Sequence, residues 1–347
     1  MTRFISMTIP YYWMAVVGWL AVSAAPPMAA AEAGGASAGG WLVVANKGDR
    51  TLGLVDPAVG REVATIPEEG VTGHEVAVSP DGQRAFVPIY GDSGVGARGS
   101  DGRWLRVVDL AARRIVGTVD FGRGVRPHCV VVGPKNQLLY VTTELANCVT
   151  MINPRTLQIV GTIPTGQRES HMLAISRDGR RGYTANVGPG TVSVLDLARK
   201  KLVAVLAIAP EVQRIALSAD DRWAFTADQS QPRIAVIDTA GRRLHRWIPL
   251  PSVGYGMAAT RDGRWLLVAL SRANQVAVVD LQEGRVARTL AVPAAPQEVL
   301  VRPDGAVAYV SCDRSHQVAA LDLGAWKVAG LIEAGGGVDG LAWARGH

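Results

Sequence analysis

Short apolar stretches, broken by polar turn residues at near-regular intervals, run from residue 41 to residue 343. Within these stretches apolar and small residues alternate, which suits strands of sheets packed face to face. One phrase returns along the chain, an apolar strand followed by Asp-Gly. It stands at Val76–Gly82, Leu173–Gly179, Ala258–Gly263 and Val299–Gly305, with degenerate copies at Val130–Asn136 and Ile215–Asp221. An aromatic-led or apolar strand follows each copy, as at Phe86, Tyr140, Tyr183, Phe225, Leu267 and Tyr309. A third strand then ends in Asp or Asn, at Asp56, Asp109, Asn153, Asp196, Asp238, Asp280 and Asp322, and a fourth strand closes the unit.

Those landmarks are 53, 44, 43, 42, 42 and 42 residues apart. Four short strands per repeat of that length is the unit of a β-propeller blade, and Asp-Gly supplies the positive φ of a tight hairpin turn. The first copy, from Trp41, lacks an inner strand, and the last stops after one, Asp339–Trp343. The terminal inner strand is therefore expected to complete the first blade. The expected fold is all-β, a seven-bladed β-propeller over 41–347 with four antiparallel strands per blade and both chain ends latching the ring.

The start of the chain reads differently. Arg3 is the only charge before Glu32; between them lie an apolar run of fifteen residues, Tyr11–Ala25, then Pro26-Pro27 and Ala29–Ala31. A positive start, a short apolar core and small residues read as a secretory signal over 1–31. A spanning helix needs about 20 residues, so no transmembrane segment is expected in the mature chain. An uncleaved anchor is the alternative. Residues 32–40, rich in Gly and Ala, read as a flexible lead-in. The expected location is periplasmic or secreted.

Tyr140–Thr143 (YVTT) and Tyr183–Asn186 (YTAN), with the turn Ser79–Gly82 (SPDG), resemble the YVTN-type seven-bladed β-propeller repeat family. The resemblance spans residues 41–343. It implies the fold and leaves function open, because relatives of the family range from lactonases to DNA-binding envelope proteins, and fold alone does not give function.

Composition narrows the chemistry. Three cysteines exclude a disulfide-framed scaffold and a four-cysteine zinc site. Cys129, Cys148 and Cys312 are expected as buried thiols. No Gly-x-Ser-x-Gly, His-Glu-x-x-His or haem-attaching Cys-x-x-Cys-His stands in the chain.

Aligning the inner strands on their turns gives one residue per blade at one mouth of the channel: His74, His128, His171, Gln213, Tyr255, Gln297 and Asp339. Of six histidines in the chain, three fall in register in consecutive blades. Three imidazoles could hold a divalent transition metal, zinc or copper, with one position open, and Glu75 could act as a fourth ligand or general base. The alternatives are a metal-free pocket and a purely structural ring.

Arg126, Arg168 and Arg214 lie within three residues of the ring and could bind a carboxylate or phosphate. A Gly-rich insertion, Tyr90–Trp104, accounts for the longest spacing and is expected as a loop at the same mouth. Glu144 lies in the equivalent loop of the next blade. The opposite face collects turn cations, among them Arg113, Arg114, Lys135, Arg180, Arg199 and Lys200, in a chain of net charge +6. A nucleic-acid site would want aromatics between those charges, so nucleic acid is not the expected partner. The expected protein is a monomer that binds a small-molecule ligand or a protein partner at its channel mouth. The alternative is a metal-dependent lactonase, lyase or small-molecule oxidase using the three histidines.

Overall fold

The computed structural model describes residues 39–92 and 94–345. The expected signal at 1–31 and most of the lead-in fall outside them. A strand begins at Gly40, the last residue of the expected lead-in.

The strands form five four-stranded sheets and one sheet of eight. The larger sheet is two blades joined by a single parallel pair, Glu333 and Arg61. The sheets thus fit seven blades. The inner strands are Val338–Arg345, Ala77–Val78, Pro127–Val132, Ser170–Ile175, Ala216–Leu217, Met257–Ala259 and Pro296–Val301, for blades 1 to 7 in that order. Each packs on the next, and Pro296–Val301 packs on Val338–Arg345, so the ring closes.

Closure is made as the repeat pattern predicts. Val338–Arg345 pairs antiparallel with Gly40–Asn46, matching Gly40 with Arg345 and Val44 with Leu341. Gly40–Asn46 in turn pairs with Thr51–Asp56. Blade 1 is therefore built from both ends of the described chain.

The repeat landmarks have local causes. In the turn after the inner strand, Gly82, Gly179, Gly263 and Gly305 sit at φ 71–77°, where a Cβ is costly. Each N–H closes the turn on the carbonyl three residues back, as Gly82 does on Ser79 at 2.8 Å. Asp221 and Gln137 take the same conformation in the degenerate copies. The Asp or Asn ending each third strand accepts backbone N–H groups two or three residues on: Asp196 Oδ1 from Arg199 at 2.9 Å, Asn153 Oδ1 from Arg155 at 2.9 Å. These are Asx turns. The aromatics that open the second strands, Phe86, Tyr140, Phe225 and Tyr309, are at most 1% exposed and pack between neighbouring sheets.

Two expectations need correction. Tyr90 and Trp104 are strand residues, within Arg84–Gly91 and Asp101–Asp109. The insertion is correspondingly shorter, because the two strands pair on to Gly91 and Asp101. Cys148 is half-buried at the start of its strand, while Cys129 and Cys312 are buried, and all three are free.

Candidate functional site

The residues at the start of the inner strands, or two to three positions ahead of them as His74, Gln213 and Tyr255 are, lie at one mouth, and the side chains divide it into two halves. His74, His128 and His171, from blades 2 to 4, form one. Their rings meet Tyr90, which the longer strand of blade 2 carries inward. His74 and His128 lie edge-on with centroids 5.3 Å apart, and His128 and His171 stack at 3.5 Å and 31°. Tyr90 is edge-on to His128 at 5.2 Å and to His171 at 6.0 Å.

Glu144 holds this half from above. A short 3-10 turn, Glu144–Ala146, buries it to 1% exposure. The Tyr90 hydroxyl donates to Glu144 Oε2 at 2.5 Å. Glu144 Oε2 also lies 3.8 Å from His171 Nδ1, too far for a hydrogen bond. The Nδ1 atoms of His128 and His171 are buried without a partner. Burial holds all three imidazoles neutral, pushing His74 down to about 4, and His128 and His171 likewise below the usual histidine range. For Glu144, burial pushes the carboxyl up, but His171 and Tyr90 outweigh it and leave it below its ordinary value.

The second half is ionic and centres on Arg214 of blade 5, 3% exposed. Its Nη1 donates to Glu75 Oε1 at 2.5 Å and to Glu298 Oε2 at 2.9 Å; its Nη2 donates to Asp339 Oδ1 at 3.2 Å. The guanidinium stands 4.7 Å from the Tyr255 ring centroid. Lys47 Nζ reaches Asp339 Oδ2 at 3.3 Å and Asp313 Oδ2 at 3.7 Å. Burial, with Glu298 and Asp339 close by, raises Glu75 despite its bond to Arg214. Burial raises Glu298 too. Asp339, with Lys47 as well as Arg214 beside it, stays low against its burial. One guanidinium shared by three carboxylates ties blades 1, 2, 5 and 7 across the channel.

The structure brings two of the three expected arginines, Arg126 and Arg168, to one groove and sets Arg214 apart in the ionic half. Arg214 gives both terminal nitrogens to carboxylates and keeps its buried Nε without a partner. Arg126, also buried, donates to Asp101 Oδ1 at 2.6 Å and to the Ala97 carbonyl at 2.7 Å, so it pins the insertion. Arg168 is 68% exposed beside Glu169 at 3.6 Å. It lines an open groove of about 610 Å³ with Arg98, Arg126, Glu144 and Leu145, next to the histidine half. Gln213 Nε2 approaches His171 Nε2 at 3.4 Å. Gln297 turns back to the Ala295 carbonyl at 3.4 Å.

Among the described residues no group of three His, Cys, Asp or Glu is set to hold a metal ion.

Sequence reasoning missed Lys47, Tyr90, Glu298 and Asp313 and gave Glu144 little weight. A signal existed. Lys47, Glu144 and Asp313 each follow directly on a second strand, as Glu75, Arg214 and Glu298 follow the mouth residues of their blades. Those two registers form the inner lining.

No protein-family model matches the chain. A 91-residue stretch, 23% of the chain, is 32% identical to 6-phosphogluconolactonase of Bacillus subtilis (strain 168), of which it spans 26%. The match thus covers about a quarter of that relative. Among solved structures, hydrazine synthase of Kuenenia stuttgartiensis superposes with a TM-score of 0.65 at 18% identity, covering 78% of this chain and 89% of that one. A functionally unknown protein from Desulfotomaculum acetoxidans DSM 771 gives 0.71 at 16%, covering 86% and 98%. The dihydro-haem d1 dehydrogenase NirN, in complex with DHE, gives 0.63 at 16%, covering 87% and 74%. At these identities the likeness is one of fold. The chain is a β-propeller of repeated four-stranded sheets.

Proposed function

We propose that this is an exported propeller of the YVTN type that binds a small polar ligand at its channel mouth, on the histidine half. The observation that carries the reading is the pair of partnerless Nδ1 atoms on His128 and His171. Buried polar atoms are almost always hydrogen-bonded, and leaving one unmet costs about 1–3 kcal/mol. Two such atoms on adjacent neutral rings, beside a groove with exposed Arg168, suit a ligand that brings its own donors or acceptors. In the ionic half both cations, Arg214 and Lys47, are already engaged by carboxylates, and this half contributes rigidity.

The same two nitrogens favour one other reading, a metal-dependent enzyme in which His74, His128 and His171 hold zinc or copper. It requires the stacked pair to rotate apart. It also requires another base, since Glu75 is bonded to Arg214.

Calorimetry on the exported protein at about pH 7.5, where the imidazoles are neutral, separates the two. The partial likeness to a 6-phosphogluconolactonase makes 6-phosphogluconate the first probe, with zinc and copper beside it. Heat from the sugar acid that vanishes in His128→Ala supports the pocket. Stoichiometric metal that any single His→Ala removes supports the enzyme. If neither is taken up, the ring is structural and both readings fail.

A further inference from the structure

We propose that the turn face of blades 3 and 4, opposite the channel mouth, docks onto an anionic lipid bilayer. Seven side chains on this face are exposed and positive: Lys135, Arg155, Arg177, Arg180, Arg199, Lys200 and Lys201. Of the carboxylates in the same turns, only Asp178 is exposed, and Asp196 is buried. Both aspartates accept backbone N–H groups, Asp178 from Arg180 and Asp196 from Arg199, each at 2.9 Å. Arg180 also stands 4.0 Å from Asp178 and Arg199 3.2 Å from Asp196, so these turns set seven exposed cations against two carboxylates.

The cations form one surface. A Cβ on Gly179 would lie 3.1 Å from Lys135 Cγ, so the inner turns of the two blades touch. Lys200 Nζ donates to the Val160 carbonyl of blade 3 at 3.1 Å. At its edges the patch meets its neighbours: Arg84 of blade 2 reaches the Pro154 carbonyl at 3.5 Å, and Arg177 N–H donates to Asp221 of blade 5 at 2.7 Å, while exposed Asp81 and Asp220 stand in the adjoining turns.

Two features select a bilayer over a nucleic acid. Ile159 and Val160 stand 44% and 40% exposed beside Lys200, apolar side chains suited to the headgroup boundary. No exposed aromatic stands in these turns, whereas a nucleic acid would stack its bases on such rings.

Sedimentation of the exported protein with vesicles tests this. Vesicles of phosphatidylcholine with about 30% phosphatidylglycerol should carry it down at about 0.1 M salt and release it near 1 M, as the Debye length falls from about 10 to 3 Å. Reversing three charges (R180E, R199E, K200E) should weaken binding about tenfold or more. The pair R261E and R285E lies on the same face of blade 6, where Asp262 and Glu283 are exposed; it should change binding by less than about twofold. Thermal melting of both variants shows that the fold is kept. Equal binding to pure phosphatidylcholine, an unchanged triple variant, or preference for a short DNA duplex through the same residues overturns the proposal.

Discussion

The channel mouth and the opposite turn face carry the same residue types under opposite conditions. At the mouth, Arg214 and Lys47 are drawn together with Glu75, Glu298 and Asp339 and engaged by them. On the turn face two carboxylates, Asp178 and Asp196, serve backbone N–H groups and neighbouring arginines, and the cations that outnumber them face water. Burial decides the difference. An arginine out of water must find carboxylates or cost several kcal/mol, while an exposed one holds its charge for almost nothing. Charge at the mouth is therefore structural, and charge on the turn face is available to a partner.

Removing Arg214 tests that division most severely. Arg214→Leu leaves Glu75, Glu298 and Asp339 facing one another, and should cost about 3–5 kcal/mol near pH 8 in urea unfolding. Near pH 5 the loss should be smaller, because Glu75 and Glu298, already raised by burial, take up protons and shed their charge. Equal losses at both pH values would break the picture of three carboxylates depending on one cation.

Glu68 comes next. It is 2% exposed, accepts Gly73 N–H at 2.7 Å and leaves Oε1 unpartnered. Burial raises it from 4.5 to about 7. The folded state then binds more protons than the unfolded one across that window, so stability falls as pH rises through it. Glu68→Gln should remove that fall and gain about 2 kcal/mol at pH 8, read as a flatter curve of melting temperature against pH.

Tyr90→Phe should cost about 1 kcal/mol by taking the hydroxyl from Glu144 while leaving the ring against the histidines. Replacing Tyr90 should also weaken any ligand bound at His128 and His171, which gives the calorimetry a second handle. On the turn face, Lys200→Ala should shift stability by no more than about 0.5 kcal/mol. A turn-face loss as large as that from Tyr90→Phe would erase the contrast between the two surfaces.

The fold was open to reading because each blade repeats its turn chemistry. Asp-Gly at positive φ and the Asx turn after the third strand are backbone requirements, and a backbone requirement limits the residues that satisfy it. The mouth histidines were visible for the same reason, being in register with those turns. Arg214, Glu75 and Glu298 were each noticed or overlooked singly, because what joins them is convergence across the channel from blades 2, 5 and 7, which no local spacing records. Arg126 does lie beside the ring, 3.5 Å from Glu144, but its bonds to the carbonyls of the folded insertion, at Gly94 and Ala97, could not be read from spacing. Tyr90 was lost to the same insertion, whose glycines read as loop while the flanking strands paired further than composition suggested.

The strand pair that closes blade 1 also sets how the ring would yield to force. Gly40 and Arg345 are partners at one end of an antiparallel ladder whose other end is Asn46 with Val338. A pull applied through residues 40 and 345 would load that first pair alone, then the next, parting the ladder one rung at a time instead of shearing all rungs together. The propeller should be mechanically soft along this one axis and stiff along others. A molecule held from residue 40 while its last strand is drawn away would open like a clasp, and would close again when the tension is released.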